Sequence, residues 1–259
     1  RPIGAAESRQ GGAYTAPLRG TGGDARASGR AEIRGFAAIL TIMQAIIEQY
    51  QAIIRTAADN KSPLQIRGGD TKHFYGNAPA GQPAVFLDTN AYHGIVDYEP
   101  TELVLTARAG TRLANVEALL AEHSQMLAFE PPHFGAAATL GGCIAAGLSG
   151  PRRATAGAVR DFVLGLRMLD GAGKDLQFGG QVMKNVAGYD VSRLMAGALG
   201  TLGVILEVSL KVLPKPPAET TLQFSMNEAA AIEQMNEWAG KPLPVSATCY
   251  VGGELLVRL

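Results

Sequence analysis

Three glycine-containing segments carry residues whose types and spacing suit chemistry on an anion: Arg67-Gly68-Gly69-Asp70-Thr71-Lys72, the run from Glu130 to Arg153, and Lys184 to Gly203. Glycine lacks the Cβ that restricts backbone dihedrals, so successive N–H groups can converge into a concavity that accepts a diphosphate. The first segment adds a hydroxyl and an ammonium to such a turn; a plain two-glycine β-turn is the competing reading. The second, EPPHFGAAATLGGCIAAGLSGPRR, has almost no bulky side chains and closes on Arg152 and Arg153. It reads as a cradle for a nucleotide cofactor, with a glycine-rich surface loop as the alternative.

Other chemistries lack their residues. No G-x-G-x-x-G stands between a strand and a helix, and Lys174 has no glycine at the upstream offset of a phosphate-binding P-loop. Ser149 lies in GLSGP rather than in a G-x-S-x-G nucleophile elbow. His73, His93, His123 and His133 form neither an H-E-x-x-H motif nor a close pair. Cys143 and Cys249 are too few for a disulfide framework, a four-cysteine zinc site or an iron–sulfur site. They fit a reducing, cytoplasmic setting. With 23 basic against 23 acidic residues, nothing favours nucleic acid as a partner. Of 32 glycines, 15 fall between Gly135 and Gly203, a local concentration that points to a site.

The elements that must position these segments follow from periodicity. Residues 1 to 35 are rich in Gly, Arg, Ala and Ser and read as disordered. Met43 precedes a better organised segment, so residues 1–43 read as a leader ahead of a natural start. Phe36 to Ile47 is about half a membrane span and contains Gln44. Gln44 to Asn60 has apolar residues at helical spacing, ended by Pro63, and Leu64-Gln65-Ile66 is a strand running into the first glycine turn. Beyond the Asn77 to Pro83 loop, strands are expected at Ala84–Leu87, Gly94–Tyr98 and Leu103–Ala109. A helix from Arg112 to His123, capped by Thr111, and a strand at Gln125–Phe129 follow. Val159–Leu169 and Lys174–Phe178 flank the turn Asp170-Gly171-Ala172-Gly173 as a hairpin. A short helix at Asp190–Leu199 and a strand at Val204–Leu213 complete the first unit, 44–217, which ends at Pro214-Lys215-Pro216-Pro217. Residues 218–259 read as strand, helix and two strands, a partial second unit.

Five ordered segments, IRGGDTK, VDYEPTELVLTARAGT, EPPHFG…TLGG…GLSGPRR, VRDFVLGLRMLDGAGK and FGGQVMKNVAGYDVSRLMAGALGTLGVILEVSLKVLPKP, resemble the FAD-binding domain of the vanillyl-alcohol oxidase (PCMH-type) flavoproteins. Within that family they are most similar to the FAD-binding subunits of bacterial glycolate oxidases. The resemblance runs from about Gln44 to Leu259. It implies an α+β fold: a PCMH-type two-subdomain FAD-binding domain, followed by the start of a smaller, truncated α+β cap domain.

The resemblance further implies that two loops wrap the FAD diphosphate. One comprises Arg67, Gly68, Gly69, Asp70, Thr71 and Lys72. The other comprises Thr139, Leu140, Gly141 and Gly142 with Gly147, Ser149 and Gly150, flanked by Pro132 and Arg153. Gly203, Val204 and Ile205 match a stretch that holds the adenine end. Tyr189 and Asp190 read as a helix start with Asp as cap, a direct flavin role being the second reading. Relatives with covalent flavin often place a histidine where this chain has Asp70, so the FAD is expected to be non-covalent.

The implied activity is that of an FAD-dependent oxidoreductase subunit of a glycolate oxidase-like complex, oxidising a small 2-hydroxy acid to a 2-oxo acid. Electrons would pass to a larger homologous flavoprotein subunit and an iron–sulfur subunit, in the cytoplasm or, through those partners, peripheral to the inner membrane. The alternative is a non-catalytic subunit serving assembly or electron relay. Arg152 and Arg153 stand open between a substrate-carboxylate clamp, neutralisation of FAD phosphates, and solvation; no residue stands out as the catalytic base.

Overall fold

The computed structural model describes residues 24–77, 85–180 and 189–259, with side chains from Ala37 onward. The expected Asn77–Pro83 loop and the head of the Lys184–Gly203 segment thus fall largely outside the described residues, as does most of the expected leader. Two compact units divide the chain, 1–44 and 45–259.

Helix α1 spans Asp24–Asp59 and so begins well before the expected start at Gln44. Residues 24–35 are therefore helical where disorder was expected. Gly29 and Gly35 interrupt the apolar periodicity, but Ala, Arg and Glu around them are strong helix formers. By length and composition Ala37–Asp59 is long enough to cross a membrane. Within the second unit, however, it buries Ile47, Tyr50, Ile54 and Ala57 as an ordinary amphipathic stripe.

From there the chain runs through β1 (Leu64–Arg67), β2 (Val85–Asp88), β3 (Ile95–Glu99), β4 (Val104–Arg108), α2 (Leu113–Glu122), β5 (Gln125–Met126), α3 (Leu140–Ala146), α4 (Arg153–Ala156) and α5 (Val159–Phe162). Then come β6 (Val163–Leu169), β7 (Asp175–Gly179), α6 (Val191–Leu194), β8 (Val204–Lys211), β9 (Leu213–Pro214), β10 (Thr221–Ser225), α7 (Glu228–Ala239), β11 (Ala247–Val251) and β12 (Glu254–Arg258). The fold is α+β, as the sequence predicts. β1 and β2 pair in parallel, with Ile66 opposite Leu87. The main sheet is antiparallel in the order β3-β4-β8-β6-β7, and β10-β12-β11 form a separate antiparallel sheet.

The main core lies under the five-stranded sheet. Leu113, Val116 and Leu120 of α2 and Leu140 and Ile144 of α3 are wholly buried against Leu105, Val208 and Leu210. Each such side chain contributes about 1.5–3 kcal/mol relative to an exposed one. Contrary to expectation, Thr111 does not cap α2; its Oγ1 bonds the backbone of Gly94 on both sides. The Leu113 amide is satisfied instead by the Ala138 carbonyl at 2.9 Å. The expected Gln125–Phe129 strand shortens to two residues, its partner among the described residues being the two-residue β9.

The β10–β12 sheet with α7 encloses a small core of its own around Ala231, Leu255 and Val257. Four charges fasten it to the preceding structure. Glu130 accepts from Arg152 Nε at 3.4 Å and from Arg258 Nη2 at 2.6 Å, while Arg152 also pairs with Glu219.

Candidate FAD-binding site

Strand β1 ends at the first glycine segment, and that segment meets the N-terminus of α3. Leu113 and Leu140 exchange backbone bonds with Ala138 and Thr111, which pins the starts of α2 and α3 together and sets Thr139 beside Gly68. A Cβ on Gly68 would lie far inside van der Waals contact with Thr139 Oγ1, and one on Gly69 would overlap the Ala137 carbonyl. Only glycine permits this approach.

A cleft of about 460 Å³ opens there, lined by Arg67, Gly68, Gly69, Asp70, Thr71 and Lys72, by Thr139, Gly142, Ala145 and Ala146 of the α3 region, and by Leu199, Gly200 and Thr201. Among the described residues, the amides of Gly68, Gly69, Asp70 and Thr71 donate to no protein acceptor. Asp70 holds the left-handed conformation at φ 53°, which asparagine and aspartate tolerate better than most residues. Lys72 Nζ donates to His133 O at 3.2 Å and lies 5.8 Å from the Phe134 ring. Burial lowers its pKa from the ordinary lysine value. His133 is held in turn by Glu117 of α2, 3.0 Å from its Nε2. Ile66, Ala145, Ala146 and Leu199 give the cleft apolar walls beside the polar loop.

The structure thus gathers Arg67 to Lys72 with Thr139 and Gly142. The other residues expected at the cofactor lie elsewhere among the cleft's supports. Leu140 and Gly141 form the first turn of α3, their amides bonded to Thr111 O and Ala109 O at 2.9 and 2.8 Å. The middle of the glycine-rich second segment, Leu140–Ala146, is therefore a capped helix rather than an open loop. Thr139 Oγ1 accepts from the Gly142 amide, and Gly147 ends the helix at φ 68°.

Ser149 Oγ accepts from the Val159 amide, and the Gly150 amide bonds Phe129 O. Pro132 is half-buried beside His133, and Arg153 opens α4 with its side chain exposed. Gly203 leads into β8, where Val204 and Ile205 pair with Leu169 and Met168 and are buried. Leu199, Gly200 and Thr201, a few residues upstream, reach the cleft instead; the GALGTLG run was the signal that could have found them. Asp190 caps α6 by accepting from the Arg193 amide at 3.1 Å, and Tyr189 is exposed. Arg152 is engaged by Glu130 and Glu219, so its guanidinium is already paired.

Cys143 of α3 lies behind the cleft, its thiol pushed up to about 12 by burial, whereas Cys249 is exposed. Native protein treated with iodoacetamide at mildly alkaline pH is expected to gain one adduct, at Cys249, and a second only in denaturant. Peptide mass spectrometry reads this directly, and a native adduct at Cys143 would contradict the packing.

A family model described as an FAD binding domain matches residues 41–179. The chain belongs to this FAD-binding family. Its cofactor is accordingly FAD, and the cleft fits that group: unpartnered amides and an ammonium suit the diphosphate, and flat apolar walls suit a ring system. The FAD-binding chain is 51% identical over 216 residues to glycolate oxidase subunit GlcE of Escherichia coli, covering 83% of this chain and 60% of that one. It is 29% identical to glycolate oxidase subunit GlcD of Bacillus subtilis, covering 77% and 42%. To a D-lactate dehydrogenase of Archaeoglobus fulgidus it is 30% identical, covering 77% and 44%. The chain thus spans between 42% and 60% of the lengths of these relatives. An alkyldihydroxyacetonephosphate synthase structure shares the fold, with a TM-score of 0.57 at 20% identity over 74% of this chain and 35% of that one.

Proposed function

We propose that the chain is the FAD-binding part of a subunit that oxidises a small 2-hydroxy acid to the 2-oxo acid within a glycolate oxidase-like complex. The observation that carries this reading is the 51% identity with a glycolate oxidase subunit, which extends over 83% of the chain. When bound, FAD supplies the hydride acceptor for the alcohol carbon. This chain's residues hold it: Gly68 to Thr71 present their amides to the diphosphate, Lys72 adds a positive charge, and Thr139 backs the loop. Ile66, Ala145, Ala146 and Leu199 exclude water from the ring system. On this reading the bound flavin would be reoxidised by a larger homologous flavoprotein subunit and an iron–sulfur subunit, in the cytoplasm or, through those partners, peripheral to the inner membrane.

Non-covalent attachment belongs to the same proposal. Asp70 cannot form the histidyl bond, and the histidine nearest to it in sequence, His73, turns its Nδ1 back to Asp70 O at 3.1 Å. Acid precipitation is expected to leave all yellow colour in the supernatant; flavin retained on the pellet would refute it.

A second reading has its own support. The pairing of Arg152 with Glu130 and Glu219 removes one of the two arginines that could clamp a substrate carboxylate, which supports an electron-relay role beside a catalytic partner. Anaerobic glycolate separates the two. Bleaching of the visible flavin absorbance in the isolated chain is the result expected of the enzyme. A spectrum that changes only after a partner subunit is added supports the relay.

A further inference from the structure

Peptide units are planar and trans, so a carbonyl fixed on one side sends the N–H of the next residue to the other. Three carbonyls of the first glycine segment are fixed in this way. Arg67 O accepts from the Thr89 amide at 2.8 Å and from Thr89 Oγ1 at 3.0 Å. Gly68 O accepts from Asn90 Nδ2 at 2.8 Å. Asp70 O lies 3.1 Å from His73 Nδ1. The amides so oriented are those of Gly68, Gly69 and Thr71, and none of them meets a protein acceptor among the described residues.

We infer that Asn90, assisted by Thr89, is a positioning residue for the FAD diphosphate, gripping the loop from behind so that its N–H groups converge on the anion. The inference rests on the FAD reading of the cleft. Asn90 does not itself line that cleft. Its amide orientation is dictated by its neighbours: Gly68 O and Asp88 Oδ1, the latter at 2.7 Å, both accept, so the nitrogen must face them. Its own Oδ1 is left buried without a partner.

The clamp matters because a peptide between two glycines has no side chain to resist rotation about its flanking bonds. Once flipped, the Gly68–Gly69 peptide would aim a carbonyl at the diphosphate in place of a donor. Asn90 closes that alternative. Thr89 is buried, and its two bonds to Arg67 O hold the preceding peptide.

The test is a titration of apoprotein with FAD, ADP and riboflavin. Asn90→Ala is expected to weaken FAD and ADP by about 5- to 30-fold, the effect of one lost hydrogen bond in a preorganised site, and to leave riboflavin unchanged because it has no diphosphate. Thr89→Val, which keeps the side-chain shape and the backbone bond, is expected to lower FAD and ADP affinity less, again sparing riboflavin. An equal fall for FAD and riboflavin would reveal general disruption and overturn the inference, as would variants that bind ADP like the parent.

If Asn90→Ala fails to fold by circular dichroism, the parent decides. ADP is expected to shift the Gly68, Gly69 and Thr71 amide resonances, and unshifted resonances overturn the inference. A parent that binds neither FAD nor ADP refutes the cofactor reading itself. A parent that binds both while Asn90→Ala matches it refutes the positioning role alone.

Discussion

Gly69→Ala is expected to cost the protein its FAD. The new methyl would overlap the carbonyl of Ala137, which is backbone and cannot swing aside as a side chain would. That carbonyl also accepts from Arg112 Nη1, and the adjacent Ala138 carbonyl satisfies the first amide of α2. Moving the 135–139 turn therefore disturbs two helices, whereas moving the glycine loop withdraws its amides from the diphosphate. The loop is the cheaper to move, being held through hydrogen bonds from Thr89 and Asn90 rather than through the starts of two helices. We expect FAD affinity to fall by about 100-fold or more, roughly 3 kcal/mol, and the apoprotein to lose about 1–3 kcal/mol of stability from overpacking. Fluorescence titration and thermal unfolding measure the two effects. Gly171→Ala is the control, since nothing lies within 4 Å of a Cβ there. Affinity within threefold of the parent would rule out this loop as the cofactor's seat.

The second large effect is expected at Glu130→Ala. Glu130 neutralises two guanidinium groups and accepts from the Arg152 amide at 2.8 Å. Side-chain exposures of 11% for Arg152, 24% for Glu130 and 25% for Arg258 place these charges well inside the surface. Truncation leaves two neighbouring cations sharing Glu219 alone. For a fully buried pair such a loss costs about 3–5 kcal/mol; partial exposure reduces it to about 2 kcal/mol. Since Arg258 belongs to β12, the loss should be local, with hydrogen exchange accelerating in β10–β12 ahead of the main sheet. Uniform acceleration, or none, would show that the cluster is not what fastens the C-terminal sheet.

The sequence made some of this legible. Ile66 followed by two glycines and a threonine-lysine pair marks a strand ending in an anion-accepting turn, and the cleft is built on that turn. The hairpin around Asp170 and the cap Asp190 were equally readable, because local rules suffice for turns and N-termini. The helix at Leu140–Ala146 was not. Two glycines in its first turn argue against helix on propensity, and what overrides them is tertiary: Ala109 and Thr111 supply acceptors, and Gly141 packs so closely that a Cβ would meet Ala109 Cβ at 2.7 Å. Arg152 looked free for the same reason. Its partner Glu219 stands far along the chain, and no spacing rule joins such positions. Likewise Tyr92 reaches Glu207, at 2.5 Å, across the sheet order rather than along the sequence.

Strand β8 sits at the centre of the main sheet, bonded on one edge to β4 and on the other to β6. A ribosome releases these strands in the order of their numbers, so the middle one emerges after both of its neighbours. Until Lys211 has left the exit tunnel, β4 and β6 lack the strand that pairs with both of them, so any hairpin formed by β3–β4 or β6–β7 has an open edge. Such edges invite pairing with other chains. Arrival of Val204–Lys211 closes both at once, following within a few residues the Leu199–Thr201 wall of the cleft. Assembly of the sheet and completion of the cleft thus fall at nearly the same moment of synthesis.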